Sequence, residues 1–141
     1  MNRFRYAILS LLFVLAAYPG AGAESEGLDA LTDALLRRDP AAAKPHFEFP
    51  VARPGPVPAL TEENFAELFP VVFDEEFHAV FAPAAHALGT HLWTEYPGAG
   101  TGAPPGLWCG IGGRVRRISY IPAAQRAAAA SYGRAFWVRG T

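Results

Sequence analysis

Residues 106–121 read GLWCGIGGRVRRISYI, and the fold turns on whether these glycines cradle a ligand or turn a hairpin. A glycine loop that holds phosphate needs a strand before it and a helix after it, so that the helix N-terminus meets the anion. Leu107-Trp108-Cys109 supplies the strand. The segment after the glycines, RVRRISYI, is rich in β-branched residues and reads as a second strand. Gly112 and Gly113 both tolerate positive φ, as a two-residue hairpin loop requires. The stretch therefore predicts strands over about 107–111 and 115–121 around a Gly112-Gly113 turn.

Cys109 is the only cysteine in the chain. A nucleophilic thiol needs a base and a polarised setting, and no flanking signature supplies them. Between Trp108 and Gly110 it reads as a small buried hydrophobe, with a free thiol or a bond to another chain as alternatives. Arg114, Arg116 and Arg117 read as charges that discourage pairing at a sheet edge.

Ahead of the hairpin the punctuation is all turn and strand. Residues 91–96, HLWTEY, alternate loosely, and 97–106, PGAGTGAPPG, are turn material. Further upstream the texture is helical. Thr61 reads as an N-cap followed by Glu62 and Glu63. Phe65, Phe69, Phe73, Phe77 and Phe81 then recur at four-residue steps, an aromatic stripe on one helix face. Pro70 predicts a kink, or two short helices meeting near 69–71. The stripe reads first as core packing and second as a ligand or partner groove.

Residues 40–60 hold six prolines, so only a short extended piece is expected there, at 46–51 (HFEFPV). Residues 25–39 carry Leu28, Leu31, Leu35 and Leu36 at helical spacing, with acidic residues leading and Arg37-Arg38 trailing. Pro40 is expected to end that helix.

The first 23 residues have the three parts of a secretory signal peptide: Arg3 and Arg5, an apolar run from Tyr6 to Ala17, and Ala21-Gly22-Ala23 after Pro19-Gly20. Cleavage is expected between Ala23 and Glu24, placing the protein in the periplasm or outside the cell. The run is short for a bilayer span, which takes about 20 residues, so no membrane span is expected after cleavage. Removing 23 of 141 residues leaves 118, one domain. Losing Arg3 and Arg5 from 12 basic residues against 13 acidic ones gives a net charge of −3. That balance argues against nucleic-acid binding, which rests on Lys and Arg.

Metal chemistry finds little support. Glu75 and His78 share a helix face, but a carboxylate-bridged site needs that spacing twice. His86 and His91 straddle Gly89, and His46 stands alone. No metal and no cofactor is expected.

The order of elements resembles small exported bacterial members of the nuclear-transport-factor-2-like superfamily. The matching residues are Phe49-Pro50-Val51, then Phe65, Phe69 and Phe73, then Gly102, Gly106, Leu107 and Trp108, then Val115, Ile118 and Ile121, spanning about 28–122. Pro70, the proline-dense loop and the Gly-Pro stretch at 97–106 depart from the pattern. The resemblance implies an α+β fold: a curved antiparallel sheet packed on the N-terminal and central helices, cone-like, with an inner pocket. Residues 24–122 would be this domain, and 123–141 an Ala-rich helix and a strand-like tail. Enzymes of the superfamily place an Asp–His or Tyr–Asp pair in the pocket, and no such pair maps onto this sequence.

The sequence supports two functions. The first is an exported non-catalytic domain binding an apolar small ligand or an envelope partner through its aromatics. Phe65, Phe69, Phe73, Phe77, Trp93, Trp108 and Trp137 are the supply, with Phe69, Phe73, Phe77, Trp93 and Trp108 as the binding candidates. The second is a small pocket enzyme (lyase, isomerase or hydrolase) with a histidine base beside Glu75 or Glu95.

Overall fold

The computed structural model describes residues 20–96 and 100–130. Most of the expected signal peptide, the strand-like tail from 131 and Trp137 lie outside the described residues. Helix α1 (Gly20–Leu36) buries Leu31, Ala34 and Leu35, the face that leucine spacing marks. It ends at Leu36, four positions before Pro40. Arg38 takes φ +55°, and its N–H donates to Leu35 O while Asp39 N–H donates to Ala34 O. These are the two bonds of a Schellman cap, with arginine in the left-handed position glycine usually fills. Pro40 thus opens a helix instead of ending one. It starts α2 (Pro40–Ala43), where its missing N–H costs nothing, and Asp39 Oδ1 caps the turn by accepting from Ala42 N–H at 3.1 Å.

A 3₁₀ turn (Lys44–His46) leads into β1 (Phe47–Ala52). The proline-rich loop folds back on β1, with Val51 and Leu60 exchanging both backbone hydrogen bonds. Thr61 and Asn64 cap one another: Asn64 N–H donates to Thr61 Oγ1 and Thr61 N–H to Asn64 Oδ1. Helix α3 (Phe65–Val72) starts after this turn, so Thr61 stands one turn earlier than an N-cap position.

Pro70 lies inside α3 on its exposed side, and the chain breaks later, at Phe73-Asp74. Asp74 accepts from Phe77 N–H at 2.9 Å and so starts α4 (Glu75–Leu88). Two helices are present, as proline predicts, but the capping aspartate sets where they meet.

Five strands form one sheet: β1, β2 (Thr94–Tyr96), β3 (Gly100–Ala103), β4 (Leu107–Cys109) and β5 (Val115–Ile118), in the order β1-β5-β4-β3-β2. The β2–β3, β3–β4 and β4–β5 pairs are antiparallel, and β1 runs parallel to β5. The fold is α+β, with a curved, unclosed sheet. The sheet is mixed where a wholly antiparallel one was expected, because α3 and α4 carry the chain from one sheet edge to the other before the meander begins. Parallel neighbours need such a long crossover.

The hairpin of residues 106–121 is present with shorter strands. Cys109 pairs with Val115, Gly110 N–H donates to Arg114 O, and Gly112 and Gly113 take φ +103° and +73°. Strand β5 is interior to the sheet, so its arginines do not guard an edge. Instead, Arg114 donates to Phe47 O at 2.9 Å, tying the hairpin to β1.

Candidate functional site

The aromatic stripe is the spine of the core. Phe65, Phe69, Phe73, Phe77 and Phe81 are all buried. Their successive ring centroids lie 5.5, 4.9, 4.9 and 5.0 Å apart, unbroken across the α3–α4 junction. Phe47 of β1 meets Phe65 edge-on at 4.9 Å and Phe73 at 6.0 Å. The inward side chains of the sheet, Val51, Ala103, Leu107, Cys109, Val115 and Ile118, belong to the same cluster. Such tilted and edge-to-face pairs add to the area term when aromatics bury. Trp93 joins this interior, its Nε1–H donating to Thr32 Oγ1 on α1 at 3.0 Å. Four of the five candidate binding residues, Phe69, Phe73, Phe77 and Trp93, therefore sit together as packing.

Trp108 is placed differently. Leu107 and Cys109 point into the core, so strand alternation sends Trp108 to the opposite face. Its cross-strand partners are Gly102 and Arg117. A Cβ on Gly102 would lie 2.9 Å from Trp108 Cε3, so only glycine leaves room for the indole on β3. Trp108 Nε1–H donates to Ser119 Oγ at 3.2 Å, and Ser119 Oγ donates to Gly106 O. Ring, hydroxyl and turn thereby fix one another. Beside the indole runs a groove of about 280 Å³, lined by Thr94, Gly102, Ala103, Pro104, Gly106 and Trp108.

Of the enzyme alternative's two carboxylates, Glu95 lies on β2 beside Thr94, while Glu75, with His78, stands at the start of α4, away from this groove's lining. Asp74 is the hub. Tyr120 O–H donates to its Oδ1 at 2.6 Å, and Ala123 N–H donates to its Oδ2 at 3.1 Å. Burial raises the Asp74 carboxyl pKa, but the donors Tyr120, Phe77 N–H and Ala123 N–H, with Arg126 nearby, hold it below the usual range. Burial and then the bond to Asp74 push the Tyr120 phenol up to about 12. This is a Tyr–Asp pair invisible in the sequence, where its members are 46 residues apart. Both carboxylate oxygens are occupied by helix and tail donors, so the pair acts as a clamp. Residues 123–130 are held there, with help from Arg126 on Glu76 and Arg53 on Gln125.

Glu75 gives both oxygens to Arg38 at the end of α1. His78 is buried beside them at 7% exposure, edge-on to Phe77 at 5.3 Å. It bonds the Phe73 backbone, and its Nε2 has no partner among the described residues. Desolvation first, then Arg38, lower its pKa, with Glu75 and Asp74 opposing. A histidine kept neutral in the fold takes up a proton in the unfolded chain below about pH 6.5. Stability is therefore expected to fall as pH drops through 6.5 toward the depressed folded value, and not to fall further below it. His46, lowered by burial and Arg114, adds to the same window. The gap between melting temperatures at about pH 7 and 5 should narrow in the His78→Gln variant, His46 keeping the rest; an unchanged gap would remove His78 from the effect.

Cys109 is a free, fully buried thiol pushed up to about 12 by burial, so its thiolate fraction at neutral pH is negligible. Among the described residues, no group of three or more His, Cys, Asp or Glu side chains could hold a metal. No helix among them is long and apolar enough to cross a membrane. Comparison with protein-family models, curated proteins and solved structures finds no match for the chain.

Proposed function

We propose that this chain is an exported, non-catalytic binding domain of the nuclear-transport-factor-2-like kind, and that the Trp108 groove takes the apolar ring of a small molecule. The carrying observation is Trp108 itself. Alone among the five aromatic candidates it lies outside the core, its indole set over Gly102 and oriented by Ser119. A half-buried tryptophan offers a large apolar surface whose orientation is already paid for. The groove's volume suits one ring more than a bulky ligand. Support for the build is the single core shared by the helices and one face of the curved sheet. The pocket-enzyme reading is less well served, because His78 bonds a backbone group and Glu75 is taken by Arg38.

The test uses protein recovered from the cell envelope, whose intact mass should correspond to a chain beginning at Glu24. Titration with indole should give a saturable shift of the Trp108 Nε1–H resonance. Trp108→Ala should abolish binding and leave a cooperatively folded domain, since the ring lies outside the core cluster. Indole binding that survives in this variant would sink the assignment. Loss of a co-purifying envelope protein in Trp108→Ala, with no indole binding in the parent, would transfer the groove to a protein partner.

A further inference from the structure

A second cavity, of about 490 Å³, opens beside β1 and shares no lining residue with the Trp108 groove. We infer that it binds a small zwitterion carrying an apolar side chain, of the α-amino-acid class. Four charged groups line it, each carried by a different piece of the fold. Lys44 comes from the 3₁₀ turn, Glu48 from β1, Glu62 from the Thr61–Asn64 turn and Arg114 from the β4–β5 connection.

Three arginines outside the cleft are paired: Arg37 with Asp33, Arg38 with Glu75, and Arg126 with Glu76. In this cleft, two cations and two carboxylates face one cavity, and none comes within 4.0 Å of an opposite charge among the described residues. Their separate anchorage holds them apart. A molecule bearing both an ammonium and a carboxylate can bridge that gap, since each end meets its complement. A molecule of one sign would meet as much repulsion as attraction.

Arg114 is set for the carboxylate. One of its amino groups is spent on Phe47 O at 2.9 Å, which fixes the guanidinium and leaves further N–H donors for a ligand. His46 beside it is held toward its neutral form by burial and by Arg114, so it adds no third cation. The apolar contact is Phe49. Its ring is braced by Phe47 at 6.3 Å and edge-on by Phe65 at 5.5 Å, yet it stays part-exposed and lines the cleft. The volume falls within the range of small-molecule sites, about 300–1,000 Å³.

L-phenylalanine titrated into the full mature chain, followed by amide chemical shifts, should give a saturable response centred on Lys44, Phe49 and Glu62. N-acetyl-phenylalanine and phenylalanine amide, each lacking one charge, should bind more weakly by up to about fivefold, the factor expected from one exposed ion pair. Lys44→Gln should narrow the preference over the amide, Arg114 remaining, and Glu62→Gln should narrow the preference over the acetylated form, Glu48 remaining. Both substitutions replace a charge at the cleft with a neutral side chain of similar size. Trp108→Ala should bind L-phenylalanine unchanged, which separates this site from the groove proposed above. No saturable shift up to about 20 mM, a Kd too weak to act on, would overturn the assignment. So would equal binding of the capped analogues, or loss of binding in Trp108→Ala.

Discussion

Phe73→Ala is expected to lower stability by about 4 kcal/mol and Phe69→Ala by about 3, within the range for deleting a buried phenylalanine. The order comes from the contacts. Phe73 sits mid-ladder, between Phe69 and Phe77 at 4.9 Å each, and also meets Phe47 of β1. Among the described residues, Phe69 has ring neighbours only within the ladder, Phe65 and Phe73. Phe73 also stands at the α3–α4 break, where its ring links two helices to the sheet. A domain of this size holds about 5–15 kcal/mol in total, so Phe73→Ala leaves the low end of that range barely folded. Urea unfolding with a constant m-value would measure both losses. If instead the stripe lined an open cavity, the empty side would forfeit no packing and the losses would shrink. Values below about 1 kcal/mol at both positions, typical of surface sites, would remove the stripe from the core.

Gly100→Ala should cost about 3 kcal/mol or more, although it adds one methyl group. Gly100 takes φ +84°, where a side chain costs about 1–2 kcal/mol. A Cβ there would stand 2.0 Å from the Cys109 carbonyl oxygen on the neighbouring strand. That atom is backbone and cannot swing aside, so β3 and β4 must part next to the Thr101–Cys109 pair, with an overpacking cost of about 1–3 kcal/mol. Gly27→Ala is the matched control. It lies within α1 with nothing inside 4 Å of the added Cβ, so it should gain about 0.5–1 kcal/mol. Equal effects at the two glycines would mean that β3 does not approach β4 as described.

Much of the local structure is legible because it rests on nearby residues. The hairpin at 106–121 comes from two glycines between the Leu107-Trp108-Cys109 strand and a β-branched run, and the helices come from leucine and phenylalanine spacing. The points where expectation and structure part are instructive. Pro40 starts a helix because Asp39 is there to cap it. Pro70 is absorbed, and the break waits for Asp74, whose carboxylate also recruits Tyr120 and Ala123. A capping side chain serving three donors leaves no mark in sequence beyond a lone aspartate. The candidate site divides along the same line. Phe69, Phe73, Phe77, Trp93 and Trp108 are equally apolar on paper, and only burial separates the four core residues from the one on the outer face.

The sequence alone determined the periods: a helical stripe of phenylalanines, a glycine turn, and enough apolar surface for one core without a disulfide. These are consequences of backbone geometry over a few residues, and they need no distant partner. Tertiary structure alone decided that β1 lies parallel to β5, that the β5 arginines sit inside the sheet, and that Lys44, Glu48, Glu62 and Arg114 surround one cleft. Those arrangements join residues tens of positions apart. The chain settles them only when the whole core is packed at once, since no local preference rewards one long-range pairing over another.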